Sequence, residues 1–212
     1  MVEWGMISLP KEKTLKWLGR FFLIIISSLI LFWSLVSAGF EKMMSDMRSN
    51  NLRNIPIEYV KEIGNGEKIL KTYKVPESNI EPGDMRYSLK KFRDELWILL
   101  SRTPKEKAEV YLLMADKRMF EAIDLIKNQR DEKLISETLN NSIYDLMEAK
   151  KNLFEENKRD VEFFMIDLQI NQAGLAYEDI VKSFNYKSEK TDKTINELEK
   201  WNQKNRENNE KN

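Results

Sequence analysis

Thr103-Pro104-Lys105-Glu106-Lys107-Ala108-Glu109-Val110-Tyr111-Leu112-Leu113-Met114-Ala115, running on through Met119 and Ala122 to Ile126, is the stretch that decides the fold. Threonine can cap a helix, proline fits the first helical position where its missing N–H is harmless, and Glu106 at the third position can return the hydrogen bond. Ala108, Tyr111, Leu112, Ala115, Met119, Ala122, Ile123 and Ile126 then recur at helical spacing until the polar break at Asn128 to Glu132. A helix with one apolar face must bury it against something.

The flanking sequence supplies partners with the same period. Upstream, Met85 to Leu100 places Tyr87, Leu89, Phe92, Leu96, Leu99 and Leu100 on one stripe, with Pro82-Gly83-Asp84 as stop and cap. Downstream from Lys133 come Leu139, Ile143, Leu146, Leu153 and Phe154, then Val161, Phe164, Leu168, Leu175, Ile180 and Phe184. No proline interrupts this stretch and Gly174 is its only glycine, so it reads as one long helix or as two joined near Asn157 to Asp160. The expectation is an all-α antiparallel bundle of three or four helices over residues 84–186. Residues 187–212 hold seven basic and six acidic side chains with Ile195, Leu198 and Trp201 as their only sizeable apolar groups. They read as a mostly disordered polar tail with a short helix around Trp201.

Before the bundle the period changes. Pro56, Gly64, Gly66, Pro76, Pro82 and Gly83 exclude a helix between Ile55 and Gly83. Ile57 to Ile63 and Ile69 to Val75 alternate, with apolar Ile57, Tyr59, Ile63, Ile69, Tyr73 and Val75 at odd positions around Gly64-Asn65-Gly66. This is the pattern of a small β-hairpin, which needs the helices for support.

Phe21 to Phe40 is twenty residues without a charge, as a helix about 30 Å long and therefore the thickness of a bilayer core. Lys11, Lys13, Lys16 and Arg20 precede it against Glu3 and Glu12. That bias predicts a short cytoplasmic segment (1–20), a single membrane span (21–40) and an extracytoplasmic remainder that begins with a juxtamembrane linker (41–83). Val36-Ser37-Ala38 would suit cleavage after Ala38 and secretion, but the run exceeds the roughly 7 to 15 apolar residues of a signal peptide and favours an anchor.

Composition removes most chemistry. The 212 residues include 35 basic and 35 acidic side chains, so net charge gives no reason to expect a nucleic-acid partner. With no cysteine and no histidine, disulfides, thiolate or imidazole metal sites, a cysteine nucleophile and a histidine base are all excluded. Glu106 with Glu109, or Glu155 with Glu156, could in principle work as paired carboxylates, yet a solvated helix face accounts for them. Met43, Met44 and Met47 could ligate copper, but flexible apolar filler explains them better. No phosphate-cradling glycine pattern is present, and basic and acidic residues alternate without forming a stripe for a membrane surface or nucleic acid. No catalytic residue, metal site, cofactor or small-molecule substrate is expected.

Gly83-Asp84-Met85-Arg86-Tyr87-Ser88-Leu89-Lys90-Lys91, Thr103-Pro104-Lys105-Glu106-Lys107-Ala108-Glu109 and Ala115-Asp116-Lys117-Arg118-Met119-Phe120-Glu121-Ala122 together resemble the extracytoplasmic family catalogued as domain of unknown function 5667. The likeness covers Gly83 to Ala122. It departs at Arg86, where leucine is usual, and at Ser88, where proline is common, which implies a different angle for the first helix. The resemblance implies a secreted or membrane-tethered helical module and brings no reaction and no catalytic residues.

Lys90 and Asp94 lie four apart and Arg118 and Glu121 three apart, so each pair shares a helix face. In a packed hairpin of the two helices these four residues would form a cross-helix charge network that fixes register; otherwise they are solvated pairs. The seam at Leu139, Ile143, Leu146, Leu153, Val161, Phe164 and Leu168 is too apolar for water and must be covered within the chain or by another chain. The expected function is therefore a non-enzymatic, membrane-anchored helical module that contacts the lipid bilayer through one helix and binds another envelope protein or itself. The alternative is a sensory membrane protein relaying an external signal to a cytoplasmic partner at Met1 to Lys16.

Overall fold

The computed structural model describes residues 12–48, 54–62, 66–157, 159–184 and 189–210. The chain divides into two compact units, Met1–Asn51 and Leu52–Asn212.

Among the described residues the first unit holds one helix, α1 (Glu12–Arg48). Its segment Trp17–Asp46 reaches a mean hydropathy of 2.4 and is long and apolar enough to cross a membrane. At 1.5 Å per residue its 30 residues extend about 45 Å, more than the roughly 30 Å of a hydrocarbon core. Leu23, Ile24, Leu31 and Leu35 stand exposed around it, an outward apolar surface suited to lipid. The helix continues past Phe40 as far as Arg48, because residues 41–48 contain no proline or glycine to stop it.

The second unit opens with the hairpin β1 (Asn54–Glu62) and β2 (Lys68–Pro76), paired antiparallel with Ile57 opposite Tyr73 and Ile55 opposite Val75. Ile57, Tyr59 and Val75 are buried against the helices, with Tyr73 partly so, whereas Ile69 is exposed and Ile63 lies outside the described residues. Gly64 and Asn65 also lie outside them; Gly66 has the positive φ of +81° that a turn of this kind requires.

Among the described residues five helices follow: α2 (Tyr87–Leu100), α3 (Pro104–Lys127), α4 (Glu132–Phe154), α5 (Val161–Ser183) and α6 (Glu189–Glu210). The α3/α4 pair forms the centre. Ala108, Ala115 and Ala122, seven residues apart and fully buried, let the two backbones approach. Ser142 of α4 can therefore donate to the Ala115 carbonyl at 2.8 Å. Leu139, Ile143, Leu146 and Leu153 of α4 fill the other side of this contact. A Schellman turn ends α3: the Gln129 N–H donates to Ile126 and the Arg130 N–H to Leu125, with Gln129 at φ +50°. Asp131 and Asp160 then cap α4 and α5 by accepting from the N–H groups of Leu134 (3.1 Å) and Phe163 (3.0 Å). The stretch from Lys133 to Phe184 is thus two helices, divided where Asp160 offers a better start than continuation through Asn157.

The structure corrects two sequence expectations and divides a third. Asp84 does not cap α2; the helix starts after Arg86, whose side chain makes no cap, while Asp84 Oδ1 accepts from the Arg86 N–H at 2.8 Å in the turn before it. The solvated, mostly disordered tail over 187–212 is replaced by α6, a 22-residue helix whose Leu198 is fully buried. Its docking needs no continuous stripe because Asn202 Nδ2 donates to the Gly174 carbonyl (3.0 Å) and to Glu178 (2.7 Å), and Lys182 bridges Glu178 and Glu199. Finally, the expected seam is only half covered: Leu139, Ile143, Leu146 and Leu153 are buried, but Val161, Phe164 and Leu168 are 75%, 60% and 57% exposed.

Gly174 is where α5 and α6 touch. A Cβ there would lie 2.5 Å from Cζ3 of Trp201 and 2.6 Å from Oδ1 of Asn202. Overpacking costs about 1 to 3 kcal/mol, and alanine returns roughly 1 kcal/mol of helix propensity. Gly174→Ala is therefore expected to lower stability by about 1 kcal/mol and to raise amide exchange selectively in α6, measured by hydrogen exchange. Unchanged exchange in α6 would show that the helix is not seated on Gly174.

Candidate functional site

The polar groups gather where α2 crosses α3. Helix α2 turns its polar side inward: Lys90 and Asp94 are its two buried residues, each 6% exposed. Lys90 Nζ forms an ion pair with Glu121 of α3, which is 2% exposed, and also donates to Ser78 Oγ at 3.1 Å. Ser78 donates to Glu121 Oε1 (2.5 Å) and the Tyr87 hydroxyl to Oε2 (3.2 Å), so the carboxylate is satisfied by three donors from α2 and the loop before it. Arg118 forms an ion pair with Asp145 of α4, carrying the network across the central helix pair. Asp94 is held by its neighbour Arg93, Nη2 to Oδ1 at 2.7 Å, and the Arg93 guanidinium also covers the Trp97 ring at 4.2 Å.

Of the four charged residues singled out in the sequence, then, Lys90 and Glu121 meet each other, while Arg118 turns to Asp145 and Asp94 to Arg93. The capping pair is in place with one change of partner. Thr103 Oγ1 accepts from the Glu106 N–H at 3.1 Å, and Glu106 Oε2 accepts from the Arg102 N–H at 2.8 Å instead of from that of Thr103.

Burial dominates the electrostatics. It pushes Asp145 up to about 7 even though Arg118 opposes the shift. It lowers Lys117 to about 8, helped by repulsion from Arg93, and lowers Lys90 to about 8 against the attraction of Asp94. A second cluster ties the hairpin to the bundle. The hydroxyls of Tyr73 (β2) and Tyr177 (α5) donate to Asp116 Oδ1 of α3 at 2.9 and 2.7 Å, and their rings meet edge to face at 6.0 Å. Burial raises Asp116 to about 7, with both hydroxyls pulling the other way. A third group seats α5 on α4, where buried Lys150 reaches Asp167 (2.5 Å) and Asn171 (2.9 Å).

The sequence reading missed Asp116, Asp145 and Lys150, although a signal was there. Asp116 stands between Leu112 and Met119, and Lys150 between Leu146 and Leu153, in the core register of their helices. A charge in that register asks for a buried partner.

What these groups can do chemically is fix helix register, since the Lys90–Glu121, Arg118–Asp145 and Lys150–Asp167 pairs each lie inside a contact between two helices. Among the described residues no cluster of three or more Asp or Glu is placed to hold a metal ion. The depression between the hairpin and α5 is lined by Lys61, Lys68, Glu178, Asp179 and Lys182, with Lys61 and Asp179 paired at 3.2 Å.

The surface carries the other feature. At the start of α5, Val161, Phe164, Met165 and Leu168 form an exposed apolar stripe, joined by exposed Phe154 at the end of α4. The model of a family of unknown function, DUF5667, matches residues 79–211, extending the likeness from α2 and α3 through α6. No curated protein and no solved structure matches the chain significantly.

Proposed function

We propose, for a chain that belongs to the domain of unknown function 5667 family, a membrane-anchored helical module that works by binding and not by catalysis. Its partner is another envelope protein or a second copy. The observation that carries this reading is the exposed stripe Val161, Phe164, Met165 and Leu168, at three- and four-residue steps on one face of α5. Such a face suits helix-in-groove recognition, in which a few apolar anchors enter a partner's groove. The absence of histidine and cysteine supports binding over catalysis. The apolar segment Trp17–Asp46 supports anchoring, and the basic residues before it support a position of the helical unit outside the cytoplasm.

A photo-crosslinking residue at position 164, in full-length protein expressed in cells, tests the reading. We expect an adduct of defined mass, either a dimer or one heterologous envelope protein, that disappears with Leu168→Glu. A chain that forms no adduct and is monomeric by light scattering in detergent would overturn it. An adduct formed instead through residues 1–16 with a cytoplasmic protein would replace it by the relay alternative.

A further inference from the structure

Helix α2 is built inside out. Its charged residues Lys90 and Asp94 face the bundle, while Leu89, Phe92 and Leu99 are 70%, 55% and 71% exposed and Met85 just before it is fully open. With partly buried Leu96 these residues fall at positions 85, 89, 92, 96 and 99, a continuous apolar line along about 20 Å of helix. The inward pair of Lys90 with Glu121 holds the helix in this orientation, so it cannot roll over to hide the line.

Three observations point to what covers it. The charged side chains reaching the surface beside the line are Arg86 and Arg93, which pair with Asp84 and Asp94 at 2.7 Å each, and Lys91 and Glu95, four residues apart on the helix. Lys91 lies 5.3 Å from the Tyr87 ring and Arg93 sits over Trp97, placing cations and amphipathic rings at the border of the apolar strip. That is the composition of a helix lying at a headgroup boundary. The chain also enters the unit beside α2: Asn54 pairs with Pro76, and two residues on, Ser78 accepts from Lys90. A second copy laid on the same line is disfavoured, because Lys91 and Arg93 would face Lys91 and Arg93 in either orientation about Phe92.

We propose that α2 lies on an anionic bilayer surface, its Met85, Leu89, Phe92 and Leu99 line entering the headgroup–acyl boundary and Lys91 and Arg93 meeting the headgroups. This rests on reading Trp17–Asp46 as a membrane span. The α5 stripe differs on both counts: it is bordered by exposed Glu155 and Glu162, and Lys105 ties Asp160 and Glu162 to the opposite end of α3 from Glu121.

Because the chain has no cysteine, single cysteines report position without ambiguity. Full-length L29C, L89C and V161C would each carry an environment-sensitive dye in vesicles of phosphatidylcholine with 30% phosphatidylglycerol, about the anionic fraction of a charged leaflet. Spin-labelled lipid then reads depth. We expect quenching at 29 by deep label, and quenching at 89 by shallow label at least twofold above that at 161, falling when phosphatidylglycerol is omitted or salt is raised. Quenching at 29 with equal, low values at 89 and 161 would overturn the proposal and leave the anchor standing. Absence of quenching at 29 would overturn both. A signal at 89 that is self-quenched in proportion to protein density, and insensitive to labelled lipid, would assign the line to a second copy and overturn the lipid reading.

Discussion

Lys90→Met will lower the stability of the helical unit by about 3 to 5 kcal/mol, the loss expected when one partner of a buried ion pair is removed and the other charge stays behind. Glu121 is nearly inaccessible and would keep only the hydroxyls of Ser78 and Tyr87 as donors. Methionine has nearly the volume of the lysine stem, so the loss isolates the charge and not a cavity. The double replacement Lys90→Met with Glu121→Leu should recover most of the stability, to within about 1 kcal/mol of the parent, since an apolar pair removes the desolvation penalty of both groups. Urea denaturation of full-length protein in detergent, followed by circular dichroism, measures both. A single-variant loss under about 1 kcal/mol would place the pair among surface ion pairs and remove it as the fastener of α2.

That pair also explains where the sequence was legible and where it was not. The α3 start at Thr103-Pro104 could be read because capping is local, set by residues within one turn. The α3/α4 centre could be read because Ala108, Ala115 and Ala122 share the period of Leu139, Ile143 and Leu146. The facing of α2 could not. Periodicity finds the line Leu89, Phe92, Leu96 and Leu99, and a soluble helix would turn such a line inward. Here Glu121 and Asp94 are buried from outside that pattern, and a buried charge without its partner costs more than one exposed leucine. The side that faces in is therefore chosen by ion pairing, which depends on residues more than thirty positions apart.

Helix α6 escaped for a related reason. Over residues 187–212 hydrophobicity is low, and Leu198, Trp201 and Asn202 are too few to register as a stripe. The information sat on the receiving helix instead. Gly174 looks like a weak point in α5 when viewed alone, yet its missing side chain is the seat for Trp201, and its carbonyl receives Asn202. A glycine inside a helix that is otherwise well formed marks a docking place as readily as a break.

The clusters that escaped notice carry the second large effect, a stability minimum near neutrality. Asp116 and Asp145 are raised from 3.8 to about 7 in the folded chain. A folded state that holds protons more tightly than the unfolded one gains stability as pH falls, so stability should decline from about pH 4 up to about pH 7. Lys117 is lowered from 10.5 to about 8, the folded chain releasing a proton that the unfolded chain keeps, so stability should rise again between about pH 8 and pH 10.5. Asp84, lowered by Arg86, works in the opposite sense on the acid side, but it is solvent-exposed and screened. Between pH 7 and pH 5 each raised carboxyl contributes about 2 kcal/mol. Thermal melts across pH 4.5 to 10 should therefore trace a trough with its floor between 7 and 8. Asp116→Asn, which keeps an oxygen for the Tyr73 and Tyr177 hydroxyls while removing the titration, should flatten the acid limb by about half and leave the alkaline limb unchanged. A profile that instead rises steadily from pH 5 to pH 7 would mean that Asp116 and Asp145 are held as ordinary carboxylates, and that the hairpin and α4 are joined to α3 by charge that water reaches.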